Sequence, residues 1–403
     1  MTIKANRWLL PDGVDEILPP RANQLETLRR EILDLYNTWG YDLIKTPLIE
    51  FLDSLLVVPS HELQLSTFSI VDQLSGKNMG VRADISTQAA RIDAHVLQQA
   101  GPTRLCYADS VLITRPKGQL GSRSPQLIGA ELYGHCGTES DVEVISLLLN
   151  TLHLAGIKKP LLALGHNRIC RTLLKAANLT EDLEEKLFTA LQNKATTDIT
   201  QLLEISNIAP PLRNCLALLP TLHGGITILE QAETVFTEMH ACLTEPTQTI
   251  LQDALKQLRM IAECIQTNFP SQQLYFDLSE LHGYDYHTGI IFSAYVAGHG
   301  EAIANGGRYD DIGAVFGRAR AATGFNADLK TLLSLSSRDF GVSNKIYAPA
   351  IADTNLQKTV SQLRAQGHRV VQAFSSQPEM AAAMGCTQQL VREGDSWKIY
   401  GVH

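Results

Sequence analysis

Leucine-rich helical periods between residues 165 and 265 separate two parts of the chain that carry strand patterns. In this middle stretch, apolar residues recur at helical spacing in Glu181–Gln192, Ile199–Ile205 and Thr247–Thr267. Strand patterns return afterwards at Leu274–Leu278, Ile290–Val296 and Ala302–Asn305. The arrangement predicts an α+β fold, in which a core over residues 1–335 is interrupted by an all-helical insert over residues 165–265.

The part before the insert alternates between helical and extended patterns. Helices are predicted at Ala22–Trp39, Thr87–Gln99 and Glu139–Leu154. Strands are predicted at Tyr41–Pro47, Arg104–Ile113 and Gln126–Tyr133, and residues 66–88 contain a hairpin that turns at residues 75–78.

A small α/β unit is predicted after the core, over residues 344–403. Strand patterns at Asn344–Ala348 and His368–Phe374 flank a helix at Leu356–Gln366. The segments Cys386–Arg392 and Trp397–Val402 are predicted to pair as a terminal hairpin.

Composition excludes several classes of protein. The formal net charge of −8 gives no basic footprint for nucleic acid, so we do not expect tRNA binding. The seven cysteines are odd in number and form no Cys-x-x-Cys pair, which indicates reduced thiols and no metal site. No apolar run reaches the length of a membrane helix or a secretory signal, so a cytoplasmic protein is expected.

Three clusters of polar residues in β context carry the candidate chemistry: residues 82–86 (RADIS), 126–131 (QLIGAE) and 283–289 (GYDYHTG). Each has a structural alternative, because Asp84 can cap a helix, Glu131 can face solvent on a strand, and the third cluster can be a turn. If the clusters converge, two carboxylates, a tyrosine and an imidazole suit a small cationic ligand that has polar atoms on a ring.

These motifs resemble those of histidyl-tRNA synthetases, in the same order along residues 8–335. The segments that carry the resemblance are GVDEILP (13–19), YDLIKTPLIE (41–50), RADIS (82–86), IGAE (128–131), HGYDYHTG (282–289) and GGRYD (306–310). The last two are the specific ones. The resemblance implies a class II aminoacyl-tRNA synthetase-like core, with a mixed, mainly antiparallel sheet flanked by helices.

The departures from the synthetase pattern fall on the arginines that such an enzyme uses to activate an amino acid. The Phe-Arg-x-Glu pattern of motif 2 is absent around Thr114-Arg115, and Thr331 stands where the motif 3 arginine is expected. The arginine that opens the histidine motif is replaced by His282. Because guanidinium groups neutralise the carboxylate and phosphate that meet in this reaction, the sequence predicts no catalysis of its own.

Most residues of the amino-acid site are retained while those of the nucleotide site are not, which is typical of a sensor. By resemblance, histidine is bound by Asp84, Ser86, Gln126, Glu131, Tyr286 and His287. Leu127 occupies the position of a family glutamine, which leaves open whether Gln126 takes that role.

The whole pattern is similar to the synthetase-like regulatory subunit of ATP phosphoribosyltransferase, especially HGYDYHTG and RADISTQAAR (82–91). That resemblance implies dimers of this chain that assemble with the short-form catalytic subunit into a hetero-octamer. Activation of that subunit, histidine as a feedback effector, and no cofactor are implied as well.

Two other functions would each need a feature that the sequence does not show. An active histidyl-tRNA synthetase or a tRNA-independent amino-acid activating enzyme would need the missing arginines. A nucleic-acid-binding adaptor would need a basic surface that the net charge does not reveal.

Several further residues are interpreted as structural. Arg308 and Tyr309 are among them, with Arg308 pairing Asp310 or Asp311, and Gly306-Gly307 is predicted to permit a tight turn. The basic residues of two polar loops are interpreted as solvated rather than as anion-binding: Lys117, Arg123, Arg318 and Arg320.

Overall fold

A computed structural model of the protein describes residues 8–57, 61–116, 121–281, 286–341, 344–375 and 380–402. The chain forms two compact units, Met1–Arg338 and Asp339–His403. Among the described residues, no helix combines the length and the apolar character needed to cross a bilayer.

The first unit contains both helices and strands. Its helices are α1 (Arg21–Thr38), α2 (Leu52–Leu55), α3 (His61–Ser66), α4 (Ser86–Arg91), α5 (Thr138–Leu154), α6 (Asn167–Ala177), α7 (Glu181–Gln192), α8 (Thr196–Glu204), α9 (Pro210–Leu218), α10 (Ile228–Glu238), α11 (Glu245–Asn268) and α12 (Leu329–Leu335). Its strands are β1 (Asp42–Leu43), β2 (Ile49–Phe51), β3 (Phe68–Val71), β4 (Asn78–Val81), β5 (Thr103–Ser110), β6 (Gln126–Tyr133), β7 (Leu161–His166), β8 (His223–Gly224), β9 (Gln273–Asp277), β10 (Ile290–Tyr295), β11 (Ala304–Arg308) and β12 (Ala322–Asp328).

A nine-stranded sheet organises this unit, in the order β1-β5-β6-β12-β11-β10-β7-β9-β8. Only the β1–β5 and β7–β9 pairs are parallel. The predicted mixed, mainly antiparallel sheet is therefore confirmed. The predicted hairpin at residues 66–88 is also present, as β3 and β4 in a three-stranded sheet with β2.

Helices α1 and α5 cover one face of the large sheet. The ring of Tyr36 on α1 meets Phe325 on β12 edge to face, with centroids 6.1 Å apart. Both side chains are buried, as are most apolar residues of α5. Because alternate residues of a strand face opposite sides, the polar residues that neighbour Phe325 along β12 point to the other face.

The stretch between β7 and β9 consists of the helices α6–α11, apart from short 3₁₀ turns and the two-residue strand β8. Helix α11 buries its apolar side chains at three- and four-residue intervals, including Leu251, Leu255, Leu258 and Ile261. The strand β9 then returns to the sheet beside β7.

Two predicted elements are shorter in the structure. The predicted strand Tyr41–Pro47 pairs only at Asp42–Leu43 and the adjacent Ile44. Its continuation is diverted because the carbonyl oxygen of Thr46 accepts a hydrogen bond from the Arg82 guanidinium at 2.8 Å. Pro47 has no N–H to donate to a neighbouring strand.

The predicted helix Thr87–Gln99 is α-helical only as far as Arg91 and widens into a π-helix over Ile92–Leu97. Gln98 ends it in a left-handed conformation, with φ of 49°. Its N–H bonds to the carbonyl of Asp93, five residues back, which is the wider π spacing.

The prediction of a turn at Gly306-Gly307 is wrong. Both glycines lie in the extended strand β11, which starts at Ala304, two residues after the predicted start at Ala302, and runs to Arg308, three residues beyond the predicted end at Asn305. Glycine is required there because the strands approach closely: a Cβ at Gly307 would lie 2.6 Å from the His287 ring, and one at Gly306 would overlap the Phe292 ring.

The second unit contains β13 (Lys345–Ala348), α13 (Thr354–Ala365), β14 (Arg369–Gln372), β15 (Gln388–Glu393) and β16 (Ser396–Gly401). The sheet order is β14-β13-β15-β16, and β15 and β16 form the predicted hairpin. Asp353 caps α13 by accepting backbone hydrogen bonds from Asn355 and Leu356.

Candidate functional site

A cavity of about 340 Å³ lies on the face of the large sheet opposite α1 and α5. Strands β6, β11 and β12 form its floor, and the start of α4 and the segment at Tyr286-His287 form its wall. The polar residues that line it are Ser66, Asp84, Ser86, Thr87, Ser122, Glu131, Tyr286, His287, His299, Glu301, Asn305, Tyr309, Asn326, Asp328 and Thr331.

The sheet makes room for the cavity with glycines in adjacent strands. Gly324 on β12 pairs with Glu131 on β6 and with Gly307 on β11, whereas Gly129 pairs with Asn326. All three glycines lie on the same sheet face as Glu131. A Cβ at Gly129 would overlap the Tyr107 ring, and one at Gly324 would overlap the Glu131 carboxylate. The missing side chains let polar groups settle directly on the sheet.

Glu131 is the centre of the site and is fully buried. One carboxylate oxygen, Oε1, accepts hydrogen bonds from Ser86 Oγ at 2.7 Å and from the Tyr107 hydroxyl at 3.1 Å. The other, Oε2, accepts one from the Tyr309 hydroxyl. A carboxylate held by three hydroxyls, with no cationic partner among these contacts, is arranged to receive a cationic ligand.

Burial raises the pKa of the Glu131 carboxyl to about 8, although the hydrogen bonds from Tyr309 and Ser86 oppose the rise. The negative charge of Asp84 raises that pKa further. Burial also raises the pKa of Tyr107, Tyr286 and Tyr309 well above the usual range, so these hydroxyls stay protonated. At neutral pH without a cation, Glu131 is therefore largely uncharged.

This pKa predicts how stability depends on pH. Between pH 4.5, the ordinary value, and about 8, the folded chain keeps a proton on Glu131 that the unfolded chain has released. The free energy of unfolding therefore falls as pH rises through that window, by at most about 1.4 kcal/mol per pH unit from this group. Thermal unfolding midpoints of wild type and Glu131→Gln at pH 5–8 should diverge with rising pH in favour of the variant. Parallel curves would contradict the assignment.

The structure brings four of the other predicted ligand-binding residues to the same cavity. Ser86 begins α4, and the half-buried Asp84 lies just before it. The Tyr286 ring stacks on Tyr309 with centroids 4.8 Å apart, and His287 meets Tyr286 edge to face at 5.0 Å.

Gln126 is not brought to the cavity. It lies on the strand face opposite Leu127 and Glu131, and its backbone N–H bonds to Asp328 Oδ1 at 2.9 Å. Leu127, the neighbour that departs from the family pattern, is the one that lines the cavity.

The buried Arg308 connects the cavity wall at Tyr286-His287 to α5. It pairs with Asp141 at 2.9 Å and with Asp310 at 3.1 Å. Its carbonyl accepts the N–H of Thr288 at 2.7 Å, next to His287. The structural role predicted for Arg308, with Asp310 as its partner, is confirmed.

The end of the cavity beyond the Glu131 site is lined by Asp328 and Thr331. Asp328 caps α12 by accepting from Lys330 N, and Thr331 Oγ1 donates to its other oxygen at 2.9 Å. Arg115 is exposed and does not line the cavity.

Lys117 and residues 282–285 of the HGYDYHTG motif lie outside the described residues.

Other loop arginines serve the fold. Arg320 pairs with Asp93 at 2.8 Å, and Arg318 donates to the carbonyl of Gln99 at 2.8 Å. The prediction that these two side chains are simply solvated is therefore wrong, because both bond to other parts of the protein.

Sequence reasoning missed Tyr107 as a partner of Glu131 and interpreted Tyr309 as structural. Tyr107 lies opposite Gly129 across β5–β6, a register that no local sequence pattern indicated. No local pattern marked Gly324, whose importance follows only from its register with Glu131.

Gly324 offers a direct test of the glycine floor. The added methyl group of Gly324→Ala has no room beside the Glu131 carboxylate, so we expect a loss of about 1–3 kcal/mol in stability. Chemical denaturation measures it. Gly300→Ala is the matched control, because a Cβ there meets nothing within 4 Å. Equal stability of the two variants would contradict this packing.

Comparisons with known proteins find matches for both units of the chain. The histidyl-tRNA synthetase family model matches residues 13–332, and the model of the ATP phosphoribosyltransferase subunit HisZ C-terminal domain matches residues 343–400. The ATP phosphoribosyltransferase regulatory subunit of Alkalilimnicola ehrlichii is 49% identical over 397 residues, covering 98% of this chain and 97% of that protein. That of Stutzerimonas stutzeri is 48% identical over 396 residues, covering 98% of both.

Solved structures confirm the predicted class II synthetase-like fold. An ATP phosphoribosyltransferase regulatory subunit/histidyl-tRNA synthetase from Bacillus halodurans C superposes with a TM-score of 0.82 at 26% identity, covering 95% of this chain and 97% of that one. The histidyl-tRNA synthetase from Nostoc sp. PCC 7120 superposes with a TM-score of 0.76 at 17% identity, covering 95% and 91%.

Proposed function

This chain belongs to the family of ATP phosphoribosyltransferase regulatory subunits, and we propose that it activates a short-form catalytic subunit and senses histidine in the cavity around Glu131. It performs no catalysis itself. Histidine binding lowers the activity of the assembled complex, which gives feedback control of histidine biosynthesis in the cytoplasm.

The observation that carries the proposal is the buried carboxyl of Glu131, held by three hydroxyls in a cavity of amino-acid size. An imidazolium or ammonium group entering beside Glu131 supplies the missing positive charge and draws its pKa down. Asp84, on the facing wall, receives the second cationic or N–H group of the ligand. Ser86, Tyr286 and His287 complete the polar surround, whereas Gln126 has no part in it.

The lack of catalysis rests on the other end of the cavity. Within the described ranges, none of the lining residues is an arginine or a lysine. The α-phosphate of ATP would meet Asp328 and Thr331 instead of a guanidinium fork, which leaves its charge unopposed. The alternative of an active synthetase or amino-acid activating enzyme therefore has no support at this site.

Feedback requires that the cavity and the catalytic partner influence each other by a coupling free energy, typically about 1–3 kcal/mol. Arg308 bonds to Thr288, next to the cavity wall, and pairs with Asp141 on α5. These contacts connect the cavity wall to a long helix outside the cavity. We propose that dimers of this chain assemble with catalytic dimers into a hetero-octamer.

The proposal is tested by mixing this chain with a catalytic subunit and measuring its activity. Adding this chain to a cognate short-form catalytic subunit should raise its rate of phosphoribosyl transfer to ATP. A histidyl-tRNA synthetase serves as the control, because it offers the same core without the regulatory C-terminal unit. An unchanged rate of phosphoribosyl transfer with the cognate partner would contradict the proposed function.

A further inference from the structure

We propose that Asn167 and Arg168, in the first turn of α6, are positioning residues that couple the cavity to the helices α6–α11, so that occupation of the cavity by histidine is transmitted through α6. The inference rests on the proposed function, because it concerns how the same cavity acts at a distance. Both residues lie outside the motifs that carry the resemblance to the synthetases.

The first turn of α6 holds three consecutive carbonyl groups at the edge of the cavity. The backbone N–H of Asn167 donates to the carbonyl of Gly289 at 2.9 Å. Its side-chain amide donates to the carbonyl of His287, and the guanidinium of Arg168 donates to that of Thr288 at 2.8 Å. The backbone that carries His287, a lining residue of the cavity, is therefore fixed from α6.

Strand pairing explains only part of this contact. Strands β7 and β10 are antiparallel, and their ladder ends at the pair His166 and Ile290. The backbone bond from Asn167 to Gly289 extends that ladder by one residue, whereas the two side-chain bonds come in addition to it. Asn167 is only 1% exposed, so removing its amide would take a donor away from a buried carbonyl, which is costly.

His166 connects the same turn of α6 to α11. Its Nδ1 accepts the backbone N–H of Arg168 at 3.3 Å, and its Nε2 lies 3.1 Å from Gln257 Oε1 on α11. Because Nδ1 accepts, Nε2 carries the proton and donates to Gln257. Burial lowers the pKa of this imidazole to about 4, so it stays neutral and keeps both bonds at physiological pH.

Helix α6 is packed into the other helices of this region. Its residues Ile169, Leu173 and Ala177 lie one turn apart and are all buried. It packs against α9 and α11, and α11 in turn packs against α5, the helix that Arg308 connects to the cavity wall. Because closely packed interiors transmit strain, a shift at the cavity wall moves α6 together with its neighbours.

The cavity and α6 therefore share one segment, residues 286–289. A ligand that contacts Tyr286 and His287 favours one position of this segment, and the bonds from Asn167 and Arg168 pass the preference to α6. By linkage, a catalytic partner that favours the same position changes the affinity for histidine by the same factor. Removing these bonds should lower that factor and leave both binding sites in place.

The coupling is measured by calorimetry as the ratio of two histidine dissociation constants, for the complex with a cognate short-form catalytic subunit and for the free chain. In wild type the ratio should differ from one by about 5- to 150-fold. Arg168→Ala and Asn167→Ala should each move it about three- to tenfold toward one. Arg168→Lys keeps a cationic donor and should restore part of the ratio.

A purely structural role predicts a different pattern, in which stability and histidine affinity fall for the free chain and the complex alike and the ratio is unchanged. Arg168 is exposed, so its alanine variant should fold and should stimulate phosphoribosyl transfer without histidine to within about twofold of wild type. Arg259→Ala is the matched control, because this arginine of α11 pairs with Glu233 at 2.6 Å, within the helical region. Its ratio should equal that of wild type.

Amide hydrogen exchange of the full chain tests the transmission without a partner. Histidine should slow exchange in α6 of wild type by about threefold or more, because the bound wall segment holds the first turn of that helix. In Arg168→Ala, histidine should still bind but protect α6 less.

Each outcome is decisive. If histidine binds and inhibits the complex, then an unchanged ratio in Arg168→Ala, or no protection of α6 in wild type, overturns the inference while the proposed function stands. If histidine does not bind, or binds the free chain and the complex equally, the proposed function fails and the inference fails with it.

Discussion

The purified chain is expected to show no histidine-dependent exchange of pyrophosphate into ATP. Adenylation brings the amino-acid carboxylate against the α-phosphate of ATP, and an enzyme stabilises these two anions with preorganised cationic donors. Removing one such donor costs about 10²–10³ in rate, and no arginine or lysine lines the described cavity. The combined loss is large although such effects are not additive.

An authentic histidyl-tRNA synthetase, assayed in parallel at the same concentration, supplies the positive control for the exchange reaction. Exchange by this chain at a rate within about tenfold of that enzyme would instead support the alternative that this chain is an amino-acid activating enzyme.

The substitution Glu131→Ala is expected to weaken histidine binding by about 2–4 kcal/mol, which is about 30- to 1000-fold in the dissociation constant. The variant loses the buried carboxylate that opposes the ligand's positive charge. It also leaves the hydroxyls of Ser86, Tyr107 and Tyr309 without their shared acceptor. Calorimetric titration with histidine measures the change.

Glu143→Ala is the matched control, because that carboxylate pairs with Arg104 at 2.7 Å and does not line the cavity. Its affinity for histidine should equal that of wild type. Equal affinities for all three proteins would mean that histidine, if it binds, does so elsewhere. Thermal unfolding of each variant separates a lost contact from a lost fold.

Periodicity predicted most of the scaffold, because long amphipathic helices and alternating strands bury one face each. Strand β6 has the predicted bounds, and α5 begins one residue earlier than predicted. The failures lie where tertiary contacts override local pattern. The Arg82 guanidinium takes the Thr46 carbonyl away from a strand, and close strand packing, rather than a turn, requires Gly306 and Gly307.

The site divides in the same way. Motif resemblance named Asp84, Ser86 and Glu131, which the cavity brings together. It did not reveal that Gly324 on β12 pairs directly with Glu131 on β6. Nor did it reveal that Tyr107 on β5 bonds to the same carboxylate, because strand register depends on contacts between distant parts of the chain. Period two alone placed Gln126 on the opposite face from Glu131, so a stricter use of alternation would have excluded it.

Histidine titration of the assembled complex tests the central claim most directly. The rate of phosphoribosyl transfer is measured with and without histidine, for a catalytic subunit paired with this chain or with its Glu131→Ala variant. The account predicts that histidine lowers the rate of the wild-type complex and that the ratio of the two rates approaches one for the variant complex. Inhibition of both complexes over the same range of histidine concentration would contradict it.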